Sequence, residues 1–134
     1  MNLPDKRKLF SEAARVVRRG GAFAVYDVMH IEGGRPAFPL PWASTPEASF
    51  LDAPQTYLAA AEAAGFVVTA QRARGEFARE FFARLAASLA ASGPPPLGLG
   101  ILMGDDAQTK VRNMAAAVGA GQIAPVEMIF RKPE

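Results

Sequence analysis

Asp5-Lys6-Arg7-Lys8-Leu9-Phe10-Ser11-Glu12-Ala13-Ala14-Arg15-Val16-Val17-Arg18-Arg19-Gly20-Gly21-Ala22-Phe23-Ala24-Val25-Tyr26-Asp27 is the stretch on which the rest of this chain depends. Leu9, Ala13, Val16 and Val17 fall at i, i+4, i+7 and i+8, which predicts a helix with one apolar face. Asp5 suits the first turn. Arg18 and Arg19 suit the last turn, where the helix dipole favours cations. Gly20-Gly21 supplies the left-handed conformation that ends a helix. Ala22 to Val28 is then an almost unbroken apolar run, which predicts a strand covered on both faces.

Composition narrows the alternatives. The chain has 134 residues, half of them hydrophobic, enough for one domain that buries roughly two-thirds of its unfolded surface. There is no cysteine, so disulfides and thiolate metal sites are excluded. His30 is the only histidine, which argues against a zinc cluster. No apolar run reaches the roughly 18 residues of a membrane span, and the charged, helical N-terminal segment does not look like a signal peptide. A cytoplasmic, soluble protein is the expectation.

The formal charge is only +2, yet Lys6, Arg7, Lys8, Arg15, Arg18 and Arg19 crowd the beginning against Asp5 and Glu12. Basic clusters suit nucleic acid, but no aromatic residues interleave with these to stack bases. A solvated helix face is the plainer reading, and no nucleic-acid partner is expected.

The remaining elements follow from punctuation. Residues 29 to 53, including Phe38-Pro39-Leu40-Pro41-Trp42-Ala43, are rich in Gly and Pro and predict a loop. Pro54 at a first helical position, with Tyr57, Leu58, Ala61 and Gly65, predicts a short helix with a glycine stop. Phe66 to Arg72 is a strand. Phe77, Phe81, Leu85 and Leu89 repeat every four residues on a long helix closed by Gly93-Pro94-Pro95-Pro96. Phe77, Phe81 and Phe82 belong to a core or an interface. Gly104-Asp105-Asp106 opens a fourth helix carrying Val111, Met114 and Val118, and Pro125 to Arg131 closes the chain as a strand. No linker divides residues 1–134, so a single domain is expected.

The junction Val17-Arg18-Arg19-Gly20-Gly21 and the strand after it resemble a class I S-adenosylmethionine-dependent methyltransferase, in which a helix ends in a Leu-Arg/Lys-Pro-Gly-Gly turn. Arg19 stands where that family usually has proline. The Phe38-Pro39-Leu40-Pro41-Trp42-Ala43 loop resembles that of the small-molecule members, of the glycine/sarcosine/dimethylglycine- or quinone-methylating kind. The resemblance covers essentially the whole chain. It implies an α/β, Rossmann-like fold reduced to the C-terminal, substrate-side half: a small mixed sheet, its last two strands antiparallel, flanked by about four helices.

On that resemblance, Ala22 to Val28, Phe66 to Arg72 and Pro125 to Arg131 correspond to the family's fifth, sixth and seventh strands. S-adenosylmethionine is implied for the complete fold. Its glycine-rich turn and ribose-binding acid have no counterpart here, so the isolated chain is expected to bind no cofactor and to lack activity. Gly98-Leu99-Gly100-Ile101-Leu102-Met103-Gly104 fails the G-x-G-x-x-G spacing, since Met103 stands in the place of the third glycine.

Four residues are candidates for a substrate site. Asp27 closes a buried strand, where open α/β sheets place ligands, and could position an amine or accept a proton. It could equally cap nearby backbone. Trp42, the only tryptophan, could wall a pocket or face a methylammonium group, or simply anchor a hydrophobic lid. Met29 and His30, just past the predicted strand, could line the same pocket, although a lone loop histidine is more often merely exposed.

Two functions fit: the substrate-side portion of a methyltransferase completed by another chain that carries the cofactor half, or a non-catalytic dimeric binding module of the same descent. In the family the strand Ala22 to Val28 pairs with a fourth strand that this chain does not contain. Its open edge predicts a homodimer, through strand pairing or exchange of the helical insertion, unless the first helix folds over it.

Overall fold

The computed structural model describes residues 1–93, 98 and 100–134. Its elements are α1 (Lys6–Val16), β1 (Ala22–His30), a single 3-10 turn (Pro46–Ala48), α2 (Pro54–Ala63), β2 (Val67–Ala73), α3 (Gly75–Ser92), the one-turn α4 (Gly100–Met103), α5 (Ala107–Gly119) and β3 (Ile123–Arg131). The strands form one sheet in the order β1-β3-β2, with β3 antiparallel to both neighbours. β1 and β2 run the same way but never meet, because the closing strand lies between them. The predicted antiparallel pair of β2 and β3 is present, and four main helices flank the sheet.

α1 begins where the sequence puts it, with the Asp5 side chain accepting from the Lys8 amide at 2.9 Å. It ends earlier than expected. Val17 is already extended, so Arg18 and Arg19 lie in the following turn, outside the dipole's reach, and Arg15 is the basic residue of the last turn. Its buried face is also one residue out of phase with the prediction: Lys6, Phe10 and Ala13 are buried, while Val16 is 66% exposed. Gly20 takes the positive φ of 69° that the turn requires.

The core has two parts, one on each face of the sheet. On one side Phe10, Ala13, Tyr57, Ala60 and Ala61 of α1 and α2 pack on Met29, Val126, Met128 and Phe130. Phe10 and Phe130 meet edge to face, their ring centroids 5.1 Å apart. On the other side Ala78 of α3 and Ala117 and Val118 of α5 pack on Val28 and Ile123. β3 is therefore the strand buried on both faces. β1 is not. Ala22, Ala24 and Tyr26 are exposed, alternating with the half-buried Phe23, Val25 and Asp27.

Met29 and His30 fall within β1 rather than beyond it. The loop that follows is tied back by the Asn113 amide, which donates to the Pro39 carbonyl at 3.0 Å. α2 starts at Pro54 as expected, and Gly65 beyond it has a φ of 82°. α3 spans the Phe77 repeat and ends at Gly93; Pro94 to Pro96 lie outside the described residues. Phe77 and Phe81 are each 47% exposed, so this stripe is not core. Gly98 to Gly104 is described only in part; there Gly100–Met103 is one helical turn. Asp106 caps α5 in position, and no acid lies in its first turn. Among the described residues no helix is long and apolar enough to cross a membrane.

Candidate functional site

Asp27 is the pivot of the polar chemistry on β1. Alternation along the strand turns its side chain towards α2, where the Tyr57 hydroxyl donates to Oδ2 at 2.6 Å. Oδ1 accepts from the backbone N–H of Val28 at 2.9 Å, and the Met1 amino group also lies against Oδ2. Tyr57 is wholly buried. Its phenol is pushed well above its ordinary range, first by burial and then by the hydrogen bond to Asp27 and that carboxylate's charge.

Lys6 completes the cluster. It is only 4% exposed, yet its ammonium has partners: it donates to the carbonyls of Leu3 at 2.6 Å and Phe50 at 2.8 Å, and faces the Asp52 carboxylate at 3.5 Å. It also lies 5.4 Å from the centre of the Tyr57 ring. Burying a charge is tolerable when it is both hydrogen-bonded and paired, as here. Asp52 in turn holds the end of β1, its carbonyl accepting from the His30 amide at 3.0 Å.

Two cavities meet at Asp27. The first, of about 170 Å³, has a mixed lining in which the polar groups of Lys6, Asp27 and Tyr57 stand beside Leu3 and Leu9. The second, of about 360 Å³, is almost wholly apolar, with Tyr26, Val28, Phe77, Phe81, Phe82 and Met114 among its walls, and Asp27 at its margin. A carboxylate placed between a polar cleft and an apolar pocket can hold the N–H or O–H of a ligand whose remainder is hydrophobic.

The structure brings only one of the four sequence candidates to this junction. Asp27 borders both cavities. Met29 shares its face of the strand but is fully buried under α1 and α2, so it has no surface to offer a ligand. His30 is half-buried at the end of β1, and Trp42 donates its indole N–H to the Ser49 hydroxyl at 3.0 Å. Neither lines either of these two cavities. Trp42 is partly buried against the cluster of Val28, Ala78, Ala117, Val118 and Ile123.

Tyr57 and Lys6 are the residues the sequence reading missed as site members. Lys6 lies four residues before Phe10 and seven before Ala13, a helical spacing that places it on the buried face. Tyr57 is the one side chain with a buried polar tip on an alanine-rich helix. Among the described residues no group of three or more His, Asp or Glu side chains could hold a metal ion.

No protein-family model and no curated protein matches the chain. Solved structures do. A protein assigned as a sarcosine dimethylglycine methyltransferase, from Galdieria sulphuraria, superposes with a TM-score of 0.73 at 20% identity, over 99% of this chain and 49% of that one. Phosphoethanolamine N-methyltransferase 2 of Haemonchus contortus, solved with S-adenosyl-L-methionine, gives a TM-score of 0.76 at 12% identity, over 99% of this chain and 31% of that one.

Geranyl diphosphate C-methyltransferase of Streptomyces coelicolor, solved with Mg2+, geranyl diphosphate and S-adenosyl-L-homocysteine, gives 0.66 at 17% identity, over 98% and 44%. This chain thus spans less than half the length of each. Identities this low establish a shared fold and nothing finer. The 134 residues have the fold of one portion of an S-adenosylmethionine-dependent methyltransferase.

Proposed function

We propose that the chain is the C-terminal, substrate-side portion of a methyltransferase acting on a small molecule, and that the cofactor side is supplied by another polypeptide. The observation that carries this reading is Asp27, held by Tyr57 where the polar and apolar cavities meet, in a fold that spans 31% to 49% of methyltransferase chains.

Methyl transfer is a direct displacement, so the protein's main task is to align the nucleophile with the methyl carbon. Asp27 would accept a hydrogen bond from a nucleophilic N–H or O–H, and the Phe77–Phe81 wall would exclude water from the remainder of the substrate. The buried Tyr57 hydroxyl, protonated at neutral pH, fixes the carboxylate's orientation.

S-adenosylmethionine does not fit the residues described. Dinucleotide-type sites of this architecture use a glycine turn between a strand and a helix, and an acid at the end of the neighbouring parallel strand. Both pairings of this sheet are antiparallel, and among the described residues of the glycine-dense stretch Gly100–Met103 form a single helical turn.

The test is transfer of a labelled methyl group from S-adenosylmethionine to small amines and alcohols. The isolated chain is expected to give no turnover above the uncatalysed background. Turnover by the chain alone would overturn the reading.

A further inference from the structure

Charge around the apolar cavity is one-sided. Its walls come from β1, α3, α5 and the start of β3, and Asp27 at the margin is the one acidic residue of the lining. No Lys, Arg or His side chain lines it among the described residues. An anionic group brought into this space would lose its hydration and meet a carboxylate, and both effects oppose binding.

Cations in the neighbourhood are committed elsewhere. Lys6 borders the smaller cavity, but its ammonium is buried on the carbonyls of Leu3 and Phe50 and faces the Asp52 carboxylate. The Arg74 guanidinium lies over the Phe77 ring, 5.2 Å from its centre, and does not line the cavity.

Asp27 lacks a basic side chain of its own. The Tyr57 hydroxyl and the Val28 amide that donate to it are both neutral. Among the described residues the charge paired with it is the Met1 amino group. A ligand ammonium arriving at Oδ2 exchanges one amine for another, so the carboxylate's preference for a cation does not depend on Met1.

We infer that the substrate of this site is a hydrophobic amine, its protonated amino group seated on Asp27 and its aryl or alkyl body lying between β1 and α3. The space sets the size of that body. An engineered cavity of about 150 Å³ holds benzene, so one of about 360 Å³ has room for a body of about ten carbons. Tyr26 and Phe81, 60% and 47% exposed, offer aromatic surface to that body and to the methyl groups of an alkylated ammonium. An alcohol of the same shape gains the apolar contacts without the charge, and a carboxylate or phosphate finds no cation to hold it.

The inference rests on reading this junction as the substrate side of a methyltransferase. Its test contains no S-adenosylmethionine, so it stands or falls on binding, whereas that reading stands or falls on methyl transfer.

The purified chain is titrated at neutral pH with 4-phenylbutylamine, 4-phenylbutanol and 4-phenylbutyrate, which share one body and differ in charge, and followed by proton–nitrogen correlation NMR. The amine should saturate, shifting the amides of Val28, Ala78 and Met114, and bind about tenfold more tightly than the alcohol, as a hydrogen bond to a charged group requires. The carboxylate should not saturate. D27N keeps an acceptor for Tyr57 and removes the charge, so the amine should then bind only as well as the alcohol. F81A removes part of the apolar wall and should weaken amine and alcohol alike, by about fivefold.

Failure of the amine to saturate, phenylbutyrate binding as tightly as the amine, a D27N variant that keeps the amine's advantage, or affinities untouched by F81A would each overturn the inference.

Discussion

Tyr57 and Asp27 form a pair whose energetics can be followed with pH. The phenol ionises near pH 10 in an unfolded chain, and in the folded protein burial and the Asp27 carboxylate hold it protonated to higher pH. Below that value both states are neutral and the group contributes no pH dependence. Above about pH 10 the unfolded state loses its proton first, so stability falls, by at most about 1.4 kcal/mol per pH unit.

Y57F lacks this titration. The stability advantage of the wild-type protein over Y57F, measured by urea denaturation, should be constant from neutral pH to about pH 9.5 and shrink above about pH 10. Parallel profiles across the whole range would show that the phenol is not held as described.

Sequence reasoning singled out Asp27 as a candidate because strand ends of α/β sheets gather ligands, but it left Tyr57 as a helix marker and Lys6 among solvated charges. Both omissions have one cause. A polar group is presumed exposed until its partners are known, and here the partners are the carboxylate of Asp27 and the carbonyls of Leu3 and Phe50, remote in sequence. The phase of α1 was nevertheless available, since Lys6, Phe10, Ala13 and Val17 satisfy helical spacing as well as the face built on Leu9.

At the scale of elements, the helices and strands were legible from glycine and proline punctuation, and their burial less so. An unbroken apolar run such as Ala22 to Val28 does not say which face is covered. Only the alternation of exposed Ala22, Ala24 and Tyr26 with Phe23 and Val25 shows that β1 is backed mainly by α1 and α2. α3 makes the same point. Its Phe77 repeat runs true, yet a three-stranded sheet is too narrow to cover it, and Ala78 alone is buried.

Substitutions should separate the two situations. F10A removes a ring wholly buried against Phe23, Phe66 and Phe130 and should cost about 3–5 kcal/mol. F81A removes a half-exposed ring whose main aromatic contact is Phe82, 5.5 Å away, and should cost about 1 kcal/mol. Equal losses in chemical denaturation would mean that α3 is packed against something that covers Phe81.

For the whole molecule, the helix–Gly-Gly–strand junction carried the fold assignment, and superposition on methyltransferases along 98% to 99% of the chain supports it. The order β1-β3-β2 is the part that local pattern could not supply, because alternation and turn residues specify strands but not which strand enters between two others. That order leaves β1 at an edge and Asp27 beside two cavities, and the proposed function is built on that placement.

Calorimetric titration of the purified chain with S-adenosylmethionine tests the central claim, that this is the substrate side of a methyltransferase without its cofactor side. The account predicts no saturable heat. Binding in the micromolar range by the chain alone would contradict it.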